Sequence, residues 1–168
     1  MLVVGAVVLP LVHVRYRNYF MLALPLLGFV ALLITPNGDH GTLQYIGFDL
    51  VLFRIDDWSR LFGYVFLLAT FLSVVYAWHI RDLLQQVAGL VYAGGAIGAV
   101  FAGDFMTLFI FWEVTAIGSV ALVWASRTAA SYGAGMRYLI MQLLSGALVL
   151  AGGLALYVET GSIRFEQI

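Results

Sequence analysis

Long apolar runs divided by short polar breaks set the organisation of the chain. A helix that crosses a bilayer needs about 20 mostly apolar residues. Six stretches approach that pattern: residues 2–12, 19–35, 59–78, 83–102, 105–124 and 136–158. The first is short and spans only in part. The one long break, residues 36–58, opens on Pro36-Asn37-Gly38, which is turn chemistry. It continues as TLQYIGFDLVLFRIDD, alternating around Gly47 with the β-favouring Tyr45, Phe48, Val51 and Phe53. That segment reads either as a short hairpin at the membrane surface or as an irregular loop. The other links are tight: Gly103-Asp104 joins the fourth and fifth stretches, and Ser126–Gly135 the fifth and sixth.

Composition turns this pattern into a class. The 168 residues are 63% hydrophobic and 10% charged, with a mean hydropathy of +1.01. A soluble domain carries about 25% charged residues. The chain cannot cover a soluble surface, and it reads as one all-α membrane domain over residues 1–168. A net charge of −1 gives no case for nucleic acid as a partner. With no cysteine there is no disulfide, thiolate metal site or thiol catalysis. His13, His40 and His79 are scattered and make no metal set, and no run resembles a quinone or nicotinamide motif. No cofactor and no metal are therefore expected.

The N-terminus is apolar first and basic second, the reverse of a signal peptide, so it reads as a retained helix. Arginines near the ends of the spans give the orientation. Arg15, Arg17, Arg81, Arg127 and Arg137 fall at one end, which should be cytoplasmic. Arg54, Arg60 and Arg164 fall at the other, together with Asp39, Asp49, Asp56, Asp57, Asp104, Glu159 and Glu166. The reading is a multi-pass protein of the plasma membrane with both termini outside the cytoplasm. The fourth and sixth spans are rich in small residues. Gly94 and Gly98 have the GxxxG spacing, and Ala147, Ala151 and Ala155 form a stripe. Such residues let helix backbones approach closely in lipid, and they read as packing surfaces.

One side chain breaks the apolar pattern where breaking it costs most. Glu113 is the only ionisable residue of the stretch from Phe105 to Trp124. A carboxylate at that depth costs roughly 2.5–3.5 kcal/mol on insertion scales. Its helical neighbours, Phe109, Ile110, Ala116 and Ile117, cannot neutralise it. The functional reading is a carboxyl that faces a protein interior or a water path and carries a proton or cation. The bland reading is a neutral acid bonded to the backbone of a neighbouring helix. Thr115 and Ser119 are close by but not stacked on it. Asp104 reads first as an N-cap of the fifth helix, and second as part of an ion entrance. Arg137 either snorkels to the interface or faces inward and biases the charge of Glu113. Gln142 lies one to two turns deeper and can support a water chain. Asp56 and Asp57 read as capping residues, and Trp78 and His79 as interfacial anchors.

The run GDFMTLFIFWEVTAIGSVALV resembles the fifth helix of the proton-translocating antiporter-like subunits found in complex I, membrane-bound hydrogenases and Mrp-type Na⁺/H⁺ antiporters. The family's GD-x-L-x-L-F-x-F-W-E motif places its membrane glutamate at Glu113. RIDDWSRLF is similar to the family's R-x-D-x-L-S-x-L-F. The stretch from Met136 to Ile168 is similar to its sixth helix and the following loop, and the ending TGSIRFEQI looks most like the D-type member of the Mrp antiporters.

The resemblance implies a subunit, or the N-terminal half of one, in a multisubunit cation/proton antiporter. Alternatives are a pumping component of a complex I or hydrogenase-type oxidoreductase and a non-conducting structural subunit. Any enzymatic label, such as a quinone oxidoreductase translocase, would come only through the parent complex. Implied partners are the bilayer, other membrane subunits, and Na⁺ or H⁺. Family members pair this glutamate with a lysine on a seventh helix. No lysine occurs here, so the partner lysine is expected on a separate or missing C-terminal half, and the chain alone should not be a complete antiporter.

Overall fold

The structure is a computed structural model. It describes residues 1–45 and 48–165, without the side chains of Tyr45, Phe48 and Asp49. Its elements are α1 (Leu2–Val8, continued by a 3₁₀ turn over Leu9–Leu11), α2 (Arg17–Ile34), β1 (Gly38–Tyr45), β2 (Phe48–Ile55), α3 (Asp57–Tyr76), α4 (Leu83–Val100), α5 (Phe105–Trp124) and α6 (Ala129–Thr160). Among the described residues, five helices are long and apolar enough to cross a membrane: α2 with the turn before it, and α3 to α6. With its 3₁₀ turn, α1 reaches only about 15 Å, half the depth of the hydrocarbon core.

Local chemistry fixes the helix boundaries. Asp56 and Ser59 form a capping box at the start of α3, with mutual hydrogen bonds of 2.7 and 2.8 Å. A second box, Thr128 with Ser131, opens α6. That box explains why α6 starts at Ala129 instead of at the first strongly apolar residue, Met136. The link between α5 and α6 shrinks to Ala125–Thr128, turned by Arg127 at φ 53°. Arg127 also pairs with Asp82 at 2.9 Å, tying this turn to the start of α4. At its other end α6 stops on Gly161 in the left-handed conformation that glycine adopts without strain.

Residues 36–58 contain the hairpin. The strands pair antiparallel from Gly38 opposite Ile55 to Tyr45 opposite Phe48. The turn expected at Gly47 lies outside the described residues. Leu50 and Val51 of β2 are buried. The outer edge of β2 is extended by other segments. Arg54 donates its N–H to Phe101 O and Gly103 donates to Val51 O, at 2.7 and 3.0 Å. The chain after α6 then adds on: Phe105 N–H to Ile163 O and Phe165 N–H to Gly103 O, at 3.0 and 3.1 Å. This small patch holds the α4–α5 corner and the tail of α6 together, so it sets the depth at which α5 enters the bundle.

Helix packing follows the small residues. α4 lies against α1 at Gly94, and against α5 where Thr115 sits over Gly95 and Phe111 over Gly98. One apolar cluster joins Leu2, Ala6, Leu9, Met21, Leu24, Val74 and Leu90, and a second joins Leu32, Ile55, Leu67 and Phe101. α6 leans mainly on α5, and most of its surface is exposed.

Candidate functional site: the carboxyl at the α5–α6 seam

The seam between α5 and α6 is built from three glycines of α6, each beneath a large side chain of α5. Gly135 underlies Trp124, Gly146 underlies Glu113 and Phe109, and Gly153 underlies Phe105. These contacts run antiparallel over about 27 Å, the thickness of the hydrocarbon core. Glu113 is near the middle, about 12 Å along the axis from the first residue of α5. Its carboxyl rests on the bare backbone at Gly146: a methyl group at that position would overlap Oε1. The residue is partly buried, and Oε1 is fully buried with no hydrogen-bond partner among the described residues. A buried acceptor without a partner costs about 1–3 kcal/mol, and more if charged.

The other sequence candidates separate into three groups. Ser119 shares the seam: its hydroxyl lies 2.7 Å from Ala116 O and 3.1 Å from the Tyr138 hydroxyl of α6. Gln142 is on the same face of α6 as Tyr138 and Gly146, one helical turn from each, because residues four apart stack. Thr115 belongs to the opposite face, where it donates to Phe111 O at 2.8 Å and contacts Gly95. Arg137 is exposed, with its guanidinium curled back toward Gly133. It is about 13 Å of helix rise from Gly146 and is not brought to Glu113.

Asp104 is completely buried and caps α5. Oδ1 accepts Thr107 N–H at 2.7 Å. Oδ2 accepts the Thr107 hydroxyl at 2.8 Å and Val51 N–H at 2.6 Å. All three donors belong to the scaffold, and the carboxylate anchors β2 to α5. Asp104→Ala is expected to destabilise the chain by about 3 kcal/mol or more, since it removes the cap and orphans two buried donors. A thermal melt of the detergent-solubilised protein checks this; an unchanged midpoint would contradict it.

Sequence reasoning missed Tyr138 and Gly146. The spacing of Tyr138, Gln142 and Gly146 at four-residue intervals was the available signal.

Residues 102–168 match the family described as NADH:quinone oxidoreductase/Mrp antiporter, TM. Among curated relatives, the A-type component of the Na⁺/H⁺ antiporter of Alkalihalophilus pseudofirmus is 28% identical over 171 residues, covering 91% of this chain and 21% of the relative. The A1-type component of the Staphylococcus aureus Na⁺/H⁺ antiporter is 27% identical over 193 residues, covering 97% and 24%. The chain thus spans less than a quarter of the length of these relatives. Both are A-type, where the ending TGSIRFEQI points to the D type. The fold superposes on a chain of respiratory complex I from Thermus thermophilus with a TM-score of 0.78 at 19% identity, covering 99% of this chain and 38% of that one. It also superposes on a chain of the membrane-bound sulfane sulfur reductase, an archaeal respiratory membrane complex, with a TM-score of 0.72 at 23% identity, covering 95% and 35%.

Proposed function

We propose, taking the chain as a member of the NADH:quinone oxidoreductase/Mrp antiporter membrane family, that it is the glutamate-bearing part of a cation/proton-translocating subunit in a multisubunit membrane complex. The observation that carries this reading is the seating of Glu113: a mid-membrane carboxyl turned to a neighbouring helix, with a buried oxygen that no donor among the described residues satisfies. A group placed that way is stabilised by taking a proton or by meeting a cation, and each release leaves it costly again. That alternation is what a carrier needs. The hydroxyls of Ser119 and Tyr138, about 9 Å of helix rise away, with Gln142 between, supply polar stepping points toward the arginine-rich end.

The orientation follows from charge. The structure puts Arg15, Arg17, Arg81 and the Arg127–Asp82 pair at one end, and the hairpin and Asp104 at the other. We assign the arginine-rich end to the cytoplasm of a plasma-membrane protein. The curated relatives favour Na⁺/H⁺ exchange; a pumping role in an oxidoreductase is the alternative, supported by the folds of the respiratory complexes.

The partner in this reading is a half that supplies the lysine this chain lacks. Its docking face is the side of α6 bearing Ala147, Ala151 and Ala155, all exposed here. The test is reconstitution into vesicles with a pH-sensitive dye. The chain alone is expected to give no Na⁺- or K⁺-driven proton flux, and flux is expected once the lysine-bearing half is added. Robust flux from the chain alone would refute the divided site. Absence of flux in the complete complex would favour a non-conducting structural subunit.

A further inference from the structure

Two adjoining cavities at the arginine-rich end have no place in the reading above. The first is a cleft of about 450 Å³ between α3 and α4, backed by Asn18 and Met21 of α2. Its walls are mostly apolar, running from Phe66 on α3 to Ala77 just past its end and from Gln85 to Ala96 on α4. Each wall is about 17 Å long. The hydrocarbon core is about 30 Å thick, so the cleft has the depth of one leaflet.

The second cavity, about 440 Å³, lies at the mouth of the first. Asn18 and Gln86 line both. Arg15, Arg17, Arg81 and His13 surround this basin, and among the described residues no acidic one lines it. Arg17 Nε donates to Val12 O at 3.0 Å, which orients that guanidinium. Among the described residues no carboxylate pairs with any of the three arginines; the nearby Asp82 is taken by Arg127. Trp78 and Tyr19 meet edge to face in the same wall, the pairing of aromatic rings expected at headgroup level. Gln86 is 7% exposed and its Oε1 has no partner among the described residues, which marks the polar step between basin and cleft.

We propose that this end of the chain binds one anionic phospholipid, with the phosphate among Arg15, Arg17 and Arg81 and an acyl chain in the α3–α4 cleft. The charge of the basin selects the headgroup, and the length of the cleft selects a lipid over a soluble anion. Unpaired basic side chains beside membrane helices attract anionic lipid, and each is worth about a fivefold change in affinity. The site stands apart from Glu113 and does not depend on the transport reading.

Native mass spectrometry of the full chain in mild detergent tests it, with phosphatidylglycerol, phosphatidylcholine or inorganic phosphate added. One retained phosphatidylglycerol per chain is expected, at least about fivefold favoured over phosphatidylcholine, with no retained phosphate. The triple variant R15Q/R17Q/R81Q should lose the preference. Gly89→Leu tests the cleft without touching the arginines. Gly89 lines the cleft, and a Cβ there has nothing within 4 Å, so the leucine starts into open space and the variant is expected to fold while its side chain occupies the place of the acyl chain. It should lose the lipid with its basin intact. Equal retention of the two lipids, retention of phosphate alone, or undiminished phosphatidylglycerol on Gly89→Leu would each overturn the proposal.

Discussion

Glu113→Gln should leave the chain inserted and folded while lowering proton-coupled transport in the assembled complex by at least about a hundredfold. Glutamine has the same reach, and its amide can occupy the same seat over Gly146. It cannot gain and lose a proton, and removing a group that does so typically costs two to four orders of magnitude. Burying the neutral amide is also cheaper than burying a carboxylate, so protein levels should hold or rise. Dye-monitored flux in vesicles, normalised to protein content, provides the measurement. Full activity at normal protein level would remove Glu113 from the carrier role.

A larger group at Gly146 should give a comparable loss by another route. Gly146→Ala puts a methyl group where Oε1 rests, and Cδ of Glu113 and the Phe109 ring follow at 3.2 and 3.5 Å. The carboxyl is the end of a flexible side chain, so it turns aside and the fold survives. Alanine is also about 1 kcal/mol better than glycine inside a helix. Unchanged or slightly raised stability is expected, together with at least about a tenfold fall in flux, the kind of penalty that displacing a reacting group by an ångström produces. Gly152→Ala on the same helix is the matched control, because nothing lies within 4 Å of its new methyl group. Equal flux from the two variants would show that the seat is not functional.

Much of this fold was legible because the bilayer imposes a length. α5 is found where its apolar run lies, Phe105–Trp124. α6 was less legible: its first turns, from Ala129, carry Ser131, Tyr132 and glycines, and their helicity rests on the Thr128–Ser131 box. A hydropathy pattern does not register that device. The polar residues around Glu113 show the same limit. Spacing along α5 separates Thr115 from Glu113, but only the packing of α6 reveals that Ser119 meets Tyr138 and that Glu113 meets a glycine. Arg137 is the instructive case. Its register allowed an inward role, yet its long side chain reaches back along α6 instead, as a guanidinium does when water is within range.

The three glycines that support α6 also bear on mechanics. Side chains that interlock, knob into hole, fix two helices in axial register. Here the α5 side chains lie on a nearly flat strip of backbone, at Gly135, Gly146 and Gly153, and flat surfaces shear more easily than toothed ones. The axial position of α6 is then governed mainly near its two extremities, by the Arg127–Asp82 pair at the preceding turn and by the 163–165 tail stitched to the α4–α5 corner, with the Ser119–Tyr138 contact as a polar tie between them. Between those fastenings the helix behaves as a push-rod. A displacement of one residue's rise, about 1.5 Å, imposed at the tail would reach the carboxyl's seat some 21 Å away almost undiminished. A neighbouring protein that grips the hairpin end of this chain would hold a lever on Glu113 without touching it.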